Sequence, residues 1–304
     1  MRTLSDFGNG VGLPAQDPRP HVLGVPFIWG QPHREVGHAP RLLREQGLFS
    51  GLAGAVDLGD LEFEHDSREF IPSYGRLISE HIEAHARSTS PLVILGGDHG
   101  LGLGTVHGIL SARPDSIVVW LDAHADMNTP STSRSQNFHG MPLSFLLPFA
   151  EQTPGFEWVR RKLRPERLIL VGTRDVDAAE ADFITRWGIQ LISAQTIREH
   201  GVRGPLRDAL ALADPTHRAP IHLSFDVDAL DPANFSATGT RVPEGVAPSE
   251  AQLLATQLAR TGRLKSFDVV EFAPKLTPDR HDLDCARWVN EFIQQTAQEI
   301  SRAR

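Results

Sequence analysis

Short apolar runs recur along the chain at residues 21–25, 92–95, 117–121, 168–171, 189–192, 221–225 and 266–270, each stopping at glycine or a polar residue. Several are apolar almost throughout, the pattern a strand needs when both of its faces are covered. Between them lie segments with apolar residues three and four apart, at 74–87, 101–111, 178–187, 205–212, 249–260 and 285–300. In the last, Val289, Ile293 and Ala297 form one row, with Trp288 and Phe292 beside it, as an amphipathic helix requires. Strands alternating with helices predict βαβ units and an α/β protein with a mostly parallel central sheet. No repeat, low-complexity tract or long linker interrupts the pattern, so residues 1–304 are expected to form one domain, with 1–20 an arm or loop. A Ser/Thr-rich stretch at 128–136 predicts a further loop.

Composition narrows the class of function. With 30 Lys+Arg against 38 Asp+Glu the formal net charge is −8, and no general basic field exists to hold nucleic acid or an anionic membrane. No stretch approaches the roughly 18 consecutive apolar residues of a membrane span. One cysteine, Cys285, excludes an intrachain disulfide framework and fits a reducing compartment. The first 20 residues lack an apolar core and carry Asp6 and Asp17, unlike a signal or transit peptide. The expectation is a soluble cytoplasmic protein.

Four of the expected strands end in chemistry. Residues 92–95 run into Gly96-Gly97-Asp98-His99, and 117–121 into Asp122-Ala123-His124-Ala125-Asp126. Residues 221–225 run into Asp226-Val227-Asp228, and 266–270 into Glu271. Ligands of open parallel sheets sit outside the carboxyl ends of the strands, so these acids and histidines are expected to converge. Asp122, His124 and Asp126 alternate along an extended segment and share a side, as do Asp226 and Asp228. Taken alone, an Asp at a strand end is most often a helix cap, and His21, His33 and His222 read as surface or core histidines. Together, four carboxylates and two imidazoles in one cleft would repel and pay a large desolvation cost if left bare. Two divalent cations would balance the four Asp charges, and an oxygen and imidazole donor set without thiolate suits Mn²⁺ while admitting other first-row ions.

Gly96-Gly97-Asp98-His99, Asp122-Ala123-His124-Ala125-Asp126 and Ser224-Phe225-Asp226-Val227-Asp228-Ala229-Leu230-Asp231-Pro232 resemble the three signatures of the ureohydrolases, the family of arginase, agmatinase and formimidoylglutamase. The resemblance runs from Gly24 to Glu271. It implies a three-layer α/β/α fold and two Mn²⁺ ions, one held by His99, Asp122, Asp126 and Asp226, the other by His124, Asp122, Asp226 and Asp228. It further implies His139 as proton shuttle, Asp126 as partner of the attacking hydroxide, Glu271 as the acid that pairs with the guanidinium, and Thr240 in the pocket wall. The loop with Asn128, Ser133, Ser135 and Asn137 is similar to the arginase loop that binds the substrate α-carboxylate. Asp177 and Glu180 resemble the acids that meet its α-ammonium. An arginine-type substrate is therefore expected, giving L-ornithine and urea. A modified arginine such as N-hydroxyarginine, or agmatine or guanidinobutyrate, stays open, and a non-catalytic arginine sensor is the distant alternative. The family resemblance also implies a homo-oligomer, trimer or hexamer, with a small guanidino partner. Gly100, Arg241, Glu244 and the segment 34–39 depart from the family pattern and are expected to shape the mouth of the site.

Overall fold

A computed structural model describes residues 19–52 and 54–303. Among these residues eight strands, β1 (His21–Val25), β2 (Val56–Asp60), β3 (Leu92–Gly96), β4 (Ile117–Leu121), β5 (Leu168–Val171), β6 (Gln190–Ile192), β7 (Ile221–Asp226) and β8 (Leu264–Val270), form a single sheet in the order β2-β1-β3-β8-β7-β4-β5-β6. Every pairing is parallel. Among the described residues the α-helices are α1 (Ala39–Glu45), α2 (Ile71–Ala86), α3 (Gly102–Ala112), α4 (Pro142–Leu146), α5 (Ala178–Trp187), α6 (Ala194–His200), α7 (Arg203–Ala213), α8 (Pro248–Arg260) and α9 (Arg280–Arg302).

The near-continuous apolar strands are explained by burial on both faces. Val93, Leu95, Val119, Leu223, Phe225 and Phe267 face one way and pack with Leu42 of α1, Leu206 of α7, Leu254 of α8 and Val289 of α9. Leu92, Ile94, Val118 and Trp120 face the other way and pack with Ile78 of α2, Leu103 and Val106 of α3 and Leu143 of α4. Each such side chain contributes roughly 1.5–3 kcal/mol when fully buried. The result is the three-layer α/β/α arrangement.

Apolar pattern did not reveal β2, whose sequence Val-Asp-Leu-Gly-Asp is half-exposed. It is an edge strand, held by Leu58 packed against the core and by Arg44, which bonds both Asp57 and Asp60. The short helices α1, α4 and α6 were likewise not marked by a long apolar period. The last helix begins at Arg280, five residues before the expected start at 285, because Asp279 and Asp282 cap each other's backbone N–H at 3.0 and 3.1 Å. The expected arm at 1–20 lies, apart from its last two positions, outside the described residues.

The strand order decides where the chemistry goes. The strands that end in Asp98-His99, Glu271, Asp226-Val227-Asp228 and Asp122 are β3, β8, β7 and β4, four consecutive strands at the middle of the sheet. Their carboxyl ends therefore open on one crevice.

Candidate metal centre

At that crevice the Nδ1 atom of His99 lies 2.9 Å from Asp122 Oδ2, 3.1 Å from Asp126 Oδ2 and 3.2 Å from Asp226 Oδ2. The Nδ1 of His124 lies 3.1 Å from Asp228 Oδ2 and 3.4 Å from Asp122 Oδ1. Asp122 thus presents one oxygen to each imidazole. Two groups have the spacing of metal ligands, His99 with Asp122 and Asp126, and His124 with Asp122 and Asp228. All six side chains named as ligands from the sequence converge here.

The local backbone is built for this aim. Asp226 and Asp228 follow one another through a 3-10 turn in which Asp226 accepts the Asp228 N–H at 2.7 Å. Asp126 and Glu271 both adopt left-handed backbone, φ +51° and +62°, which costs a non-glycine residue roughly 1–3 kcal/mol. That turn re-aims each side chain where its strand or extended segment would otherwise carry it onward. Gly30 donates to Asp98 at 2.8 Å while its carbonyl accepts the His139 N–H, and a Cβ at position 30 would fall 2.2 Å from the Asp98 carboxylate. Gly100 has a packing reason too: a Cβ there would meet the Asp98 carboxylate, Phe138 and Phe27 at 2.8–3.0 Å.

Electrostatics test whether cations fit. Burial pushes Asp126 up to about 7, with the Asp122 charge adding to it. Burial and the charges of Asp228 and Asp122 hold Asp226 well above the ordinary carboxylate range, and Asp228 is raised by burial and Asp122. Burial also opposes ionisation of Asp122, but hydrogen bonds from His124 and His99 outweigh it and keep that carboxylate well below its usual range. For both imidazoles burial favours the neutral ring, yet the surrounding acids override it and raise them well above 6.5. A metal-free cluster therefore stores protons in place of cations. Buried carboxylates outnumber the imidazoles four to two, so the donor set fits divalent ions, which would neutralise the excess negative charge.

A pH test follows. Metal uptake must displace the protons held by His99, His124 and the raised acids. Affinity is expected to rise with pH between about 6 and 8, and the calorimetric heat of Mn²⁺ binding to vary with the ionisation enthalpy of the buffer. A heat independent of buffer, with pH-independent affinity, would contradict this electrostatic picture.

The cluster forms the floor of a cleft of about 190 Å³ lined by His124, Asp126, Asp226 and Asp228 below and by Asn128, Ser135, His139, Asp175, Asp177, Glu180 and Thr240 around it. Asn128 donates to Asp177 at 2.8 Å and accepts from Thr132, so the loop and the acid that opens α5 are joined. Thr240 donates to Asp228 at 2.7 Å. Ser133 and Asn137 are not in the lining. Ser133 accepts the Gln136 N–H and so serves the loop's own turn, while the Asn137 backbone N–H is given to Ser135. Glu180 reaches the lining, but its two oxygens accept the backbone N–H groups of Met127 and Asp177, each at 2.9 Å. It supports Asp177 more than it offers charge of its own.

Glu271, the acid that the resemblance pairs with the guanidinium, sits behind His139. It is fully buried and outside the cleft lining. One oxygen accepts His99 N–H at 2.8 Å and meets His139 Nδ1 at 3.2 Å, and the other accepts Gln31 Nε2. Its charge reaches the cleft through His139. Burial favours a neutral His139, but the hydrogen bond and charge of Glu271 outweigh it and raise the imidazole to about 9.

Several functional residues were not legible as such. Asp98 ties Gly30 to Gly100 through its two oxygens. Asp175 lies 3.8 Å from His124 Nε2. Trp120 stacks on His99 at 3.9 Å and donates to Asp122. His222, read above as surface or core filler, is fully buried and hydrogen-bonded to Ser266 and Asp268. The missed signal was periodic: polar residues at 222, 224 and 226 in one strand and at 266 and 268 in its neighbour. Of the other departures, Arg34, Glu244 and Arg241 are exposed and outside the cleft lining, with Arg34 paired to Asp66, Glu244 to Arg198, and Arg241 bonded to the Thr238 carbonyl.

An all-parallel α/β/α sheet with an Asp and His cluster at the ends of its central strands is the framework of a metal-dependent hydrolase. The Arginase family model matches residues 19–296, and the chain belongs to that family of hydrolases. It is 36% identical over 280 residues to an arginase of Glaciozyma antarctica, covering 84% of this chain and 80% of that protein. It is equally 36% identical to the mitochondrial arginase-2 of Homo sapiens, over 86% and 79% of the two chains. The crystal structure of an Entamoeba histolytica arginase in complex with L-ornithine superposes with a TM-score of 0.83 at 27% identity, covering 93% of this chain and 98% of that one.

Proposed function

We propose that this protein hydrolyses the guanidino group of L-arginine to give L-ornithine and urea, with two Mn²⁺ ions as its cofactors. The observation that carries the reading is the two-ended cleft: a His and Asp cluster at its floor, and Asp177 joined to Asn128 beside Ser135 at its rim. An α-ammonium seeks a carboxylate, and an α-carboxylate seeks neutral donors. A cleft of about 190 Å³ suits a small substrate. Relatives that are arginases, one of them crystallised with L-ornithine, support the same reading.

His99, Asp122, Asp126 and Asp226 would hold one ion, and His124, Asp228, Asp122 and Asp226 the other. Bound there, divalent ions supply Lewis acidity and make water a nucleophile near neutral pH. The remaining steps belong to the chain. Asp177 and the 128–137 loop fix the amino-acid end of the substrate, which orients the guanidinium carbon over the floor. Asp126 accepts a hydrogen bond from the attacking water. His139, its Nδ1–H given to Glu271, turns its other ring nitrogen to the cleft and delivers a proton to the departing amine. Glu271, held by Gln31 and the His99 N–H, keeps that imidazole charged.

Selectivity is testable apart from chemistry. Asp177→Ala is expected to lower kcat/KM for arginine about ten- to a hundredfold, the worth of one hydrogen bond to a charged group, with bound metal unchanged. Guanidinobutyrate, which has no α-ammonium, should be affected far less. Urea release from arginine, N-hydroxyarginine, agmatine and guanidinobutyrate by the Mn²⁺-loaded wild type ranks the substrates. A preference for agmatine, or an equal loss on both substrates in the variant, would refute the arginine assignment.

A further inference from the structure

A column of polar side chains crosses the middle of the sheet where its neighbours on the same face are Leu92, Ile94, Val118 and Trp120. In register, His222 of β7 stands beside Ser266 of β8, and Ser224 beside Asp268. All four are fully buried. Ser266 Oγ meets His222 Nδ1 at 3.0 Å, and His222 Nε2 meets Asp268 Oδ2 at 3.1 Å. Ser224 Oγ donates to Asp268 Oδ1 at 2.7 Å and meets His99 Nε2 at 2.9 Å. Polar groups in such a place cost free energy unless every one is satisfied. Apolar residues would serve the core at least as well.

The hydrogens in the column have one consistent direction. A carboxylate only accepts, so Asp268 takes the Ser224 hydroxyl hydrogen on one oxygen and the His222 Nε2–H on the other. His222 Nδ1 is then an acceptor for Ser266. Ser224 has given away its only hydrogen, so it can meet His99 Nε2 only by accepting, and that nitrogen must carry a hydrogen. The lone-pair atom left on a neutral His99 is Nδ1, the atom that faces Asp122, Asp126 and Asp226.

We propose that Asp268, acting through Ser224, fixes the tautomer and ring angle of His99 so that its Nδ1 is presented to a metal ion, with His222 and Ser266 holding Asp268 in turn. Trp120, stacked within 6° of the His99 plane, closes the ring's remaining freedom. These are positioning residues: none lines the cleft. The inference rests on the two-metal reading above and assigns the column to one of the two ions only, because the ring of His124 has no such partner and points its Nε2 toward Asp175 at 3.8 Å.

The experiment titrates metal-free wild type, Ser224→Ala and Asp268→Asn with Mn²⁺ alone by calorimetry. His99→Asn and His124→Asn identify which binding event belongs to which histidine. The melting temperature of each metal-free protein is recorded alongside. Expected is a loss of about 10–100-fold in affinity, the usual effect of removing a ligand's outer partner, at the His99 event in Ser224→Ala, with the His124 event within about twofold and a modest fall in the metal-free melting temperature, because the buried Asp268 oxygen loses its donor. Asp268→Asn should weaken the same event, because its amide can place an N–H toward Ser224 and reverse that hydroxyl. Wild-type affinity in Ser224→Ala would overturn the proposal and leave the two-metal reading standing. Equal weakening of both events together with a lower metal-free melting temperature would make the column merely structural. An effect in Ser224→Ala but none in Asp268→Asn would remove Asp268 from the assignment. Failure of the wild type to bind Mn²⁺ would overturn the two-metal reading itself, and the proposal with it.

Discussion

Asp122→Ala is expected to abolish turnover and lower bound manganese to background. Asp122 stands in both ligand groups, giving one oxygen toward His99 and the other toward His124, so its removal opens both sites at once. Metal assistance contributes several kcal/mol to the transition state, and each 1.36 kcal/mol is a decade in rate. The loss in kcat should therefore be about 10³-fold or more. The substitution relieves Asp126 and Asp226, which Asp122 raises, but leaves His99 and the Trp120 N–H without their carboxylate, so the metal-free variant should fold with far-ultraviolet circular dichroism like that of the wild type and melt at a lower temperature. Elemental analysis and urea release measure the outcome. Two tightly bound ions in the variant would show that Asp122 is not a shared ligand.

His139→Asn is expected to lower kcat by about 10²–10⁴-fold, the usual worth of a positioned general acid, while the chain still binds its metal with wild-type affinity. His139 belongs to the cleft wall but to neither ligand group; its backbone is held by Gly30 and its ring by Glu271. The sign of its pH effect follows from its role. A group that acts by giving a proton is competent below its pKa, so wild-type kcat should fall as pH rises through the value for His139, which Glu271 holds above the ordinary histidine range. That alkaline limb should vanish in the variant. Metal loss on substitution would instead make His139 a ligand or a structural support. A variant retaining full kcat would remove it from the proton path.

Much of the site was readable from the chain because its ligands are local: strand, then acid or imidazole, then turn. The alternation in Asp122-Ala123-His124-Ala125-Asp126 and in Asp226-Val227-Asp228 puts donors on one side by backbone geometry alone, and charge balance then asks for cations. Glu271 was less legible. A strand-end acid reads the same whether it faces substrate or is enclosed, and only the approach of Gln31, 240 residues away in sequence, with His99 and His139, makes it a buried partner of the imidazole. Ser133 and Glu180 were polar residues in the right segments whose bonds turned inward to the backbone.

The chain by itself indicated seven of the eight strands, a mostly parallel sheet, and which residue types terminate the central strands, since these depend on hydrophobic period and local turn chemistry. Strand order is another matter. That β3, β8, β7 and β4 lie side by side follows from how helices of particular size cover both faces of the sheet, and no local pattern encodes it. The same holds for the column from Ser266 to His99. Each of its members is an ordinary polar residue in its own strand, and its hydrogen-bond direction exists only once register sets His222 opposite Ser266 and Ser224 opposite Asp268. A hydroxyl has one hydrogen to give, and only the fold decides which neighbour receives it.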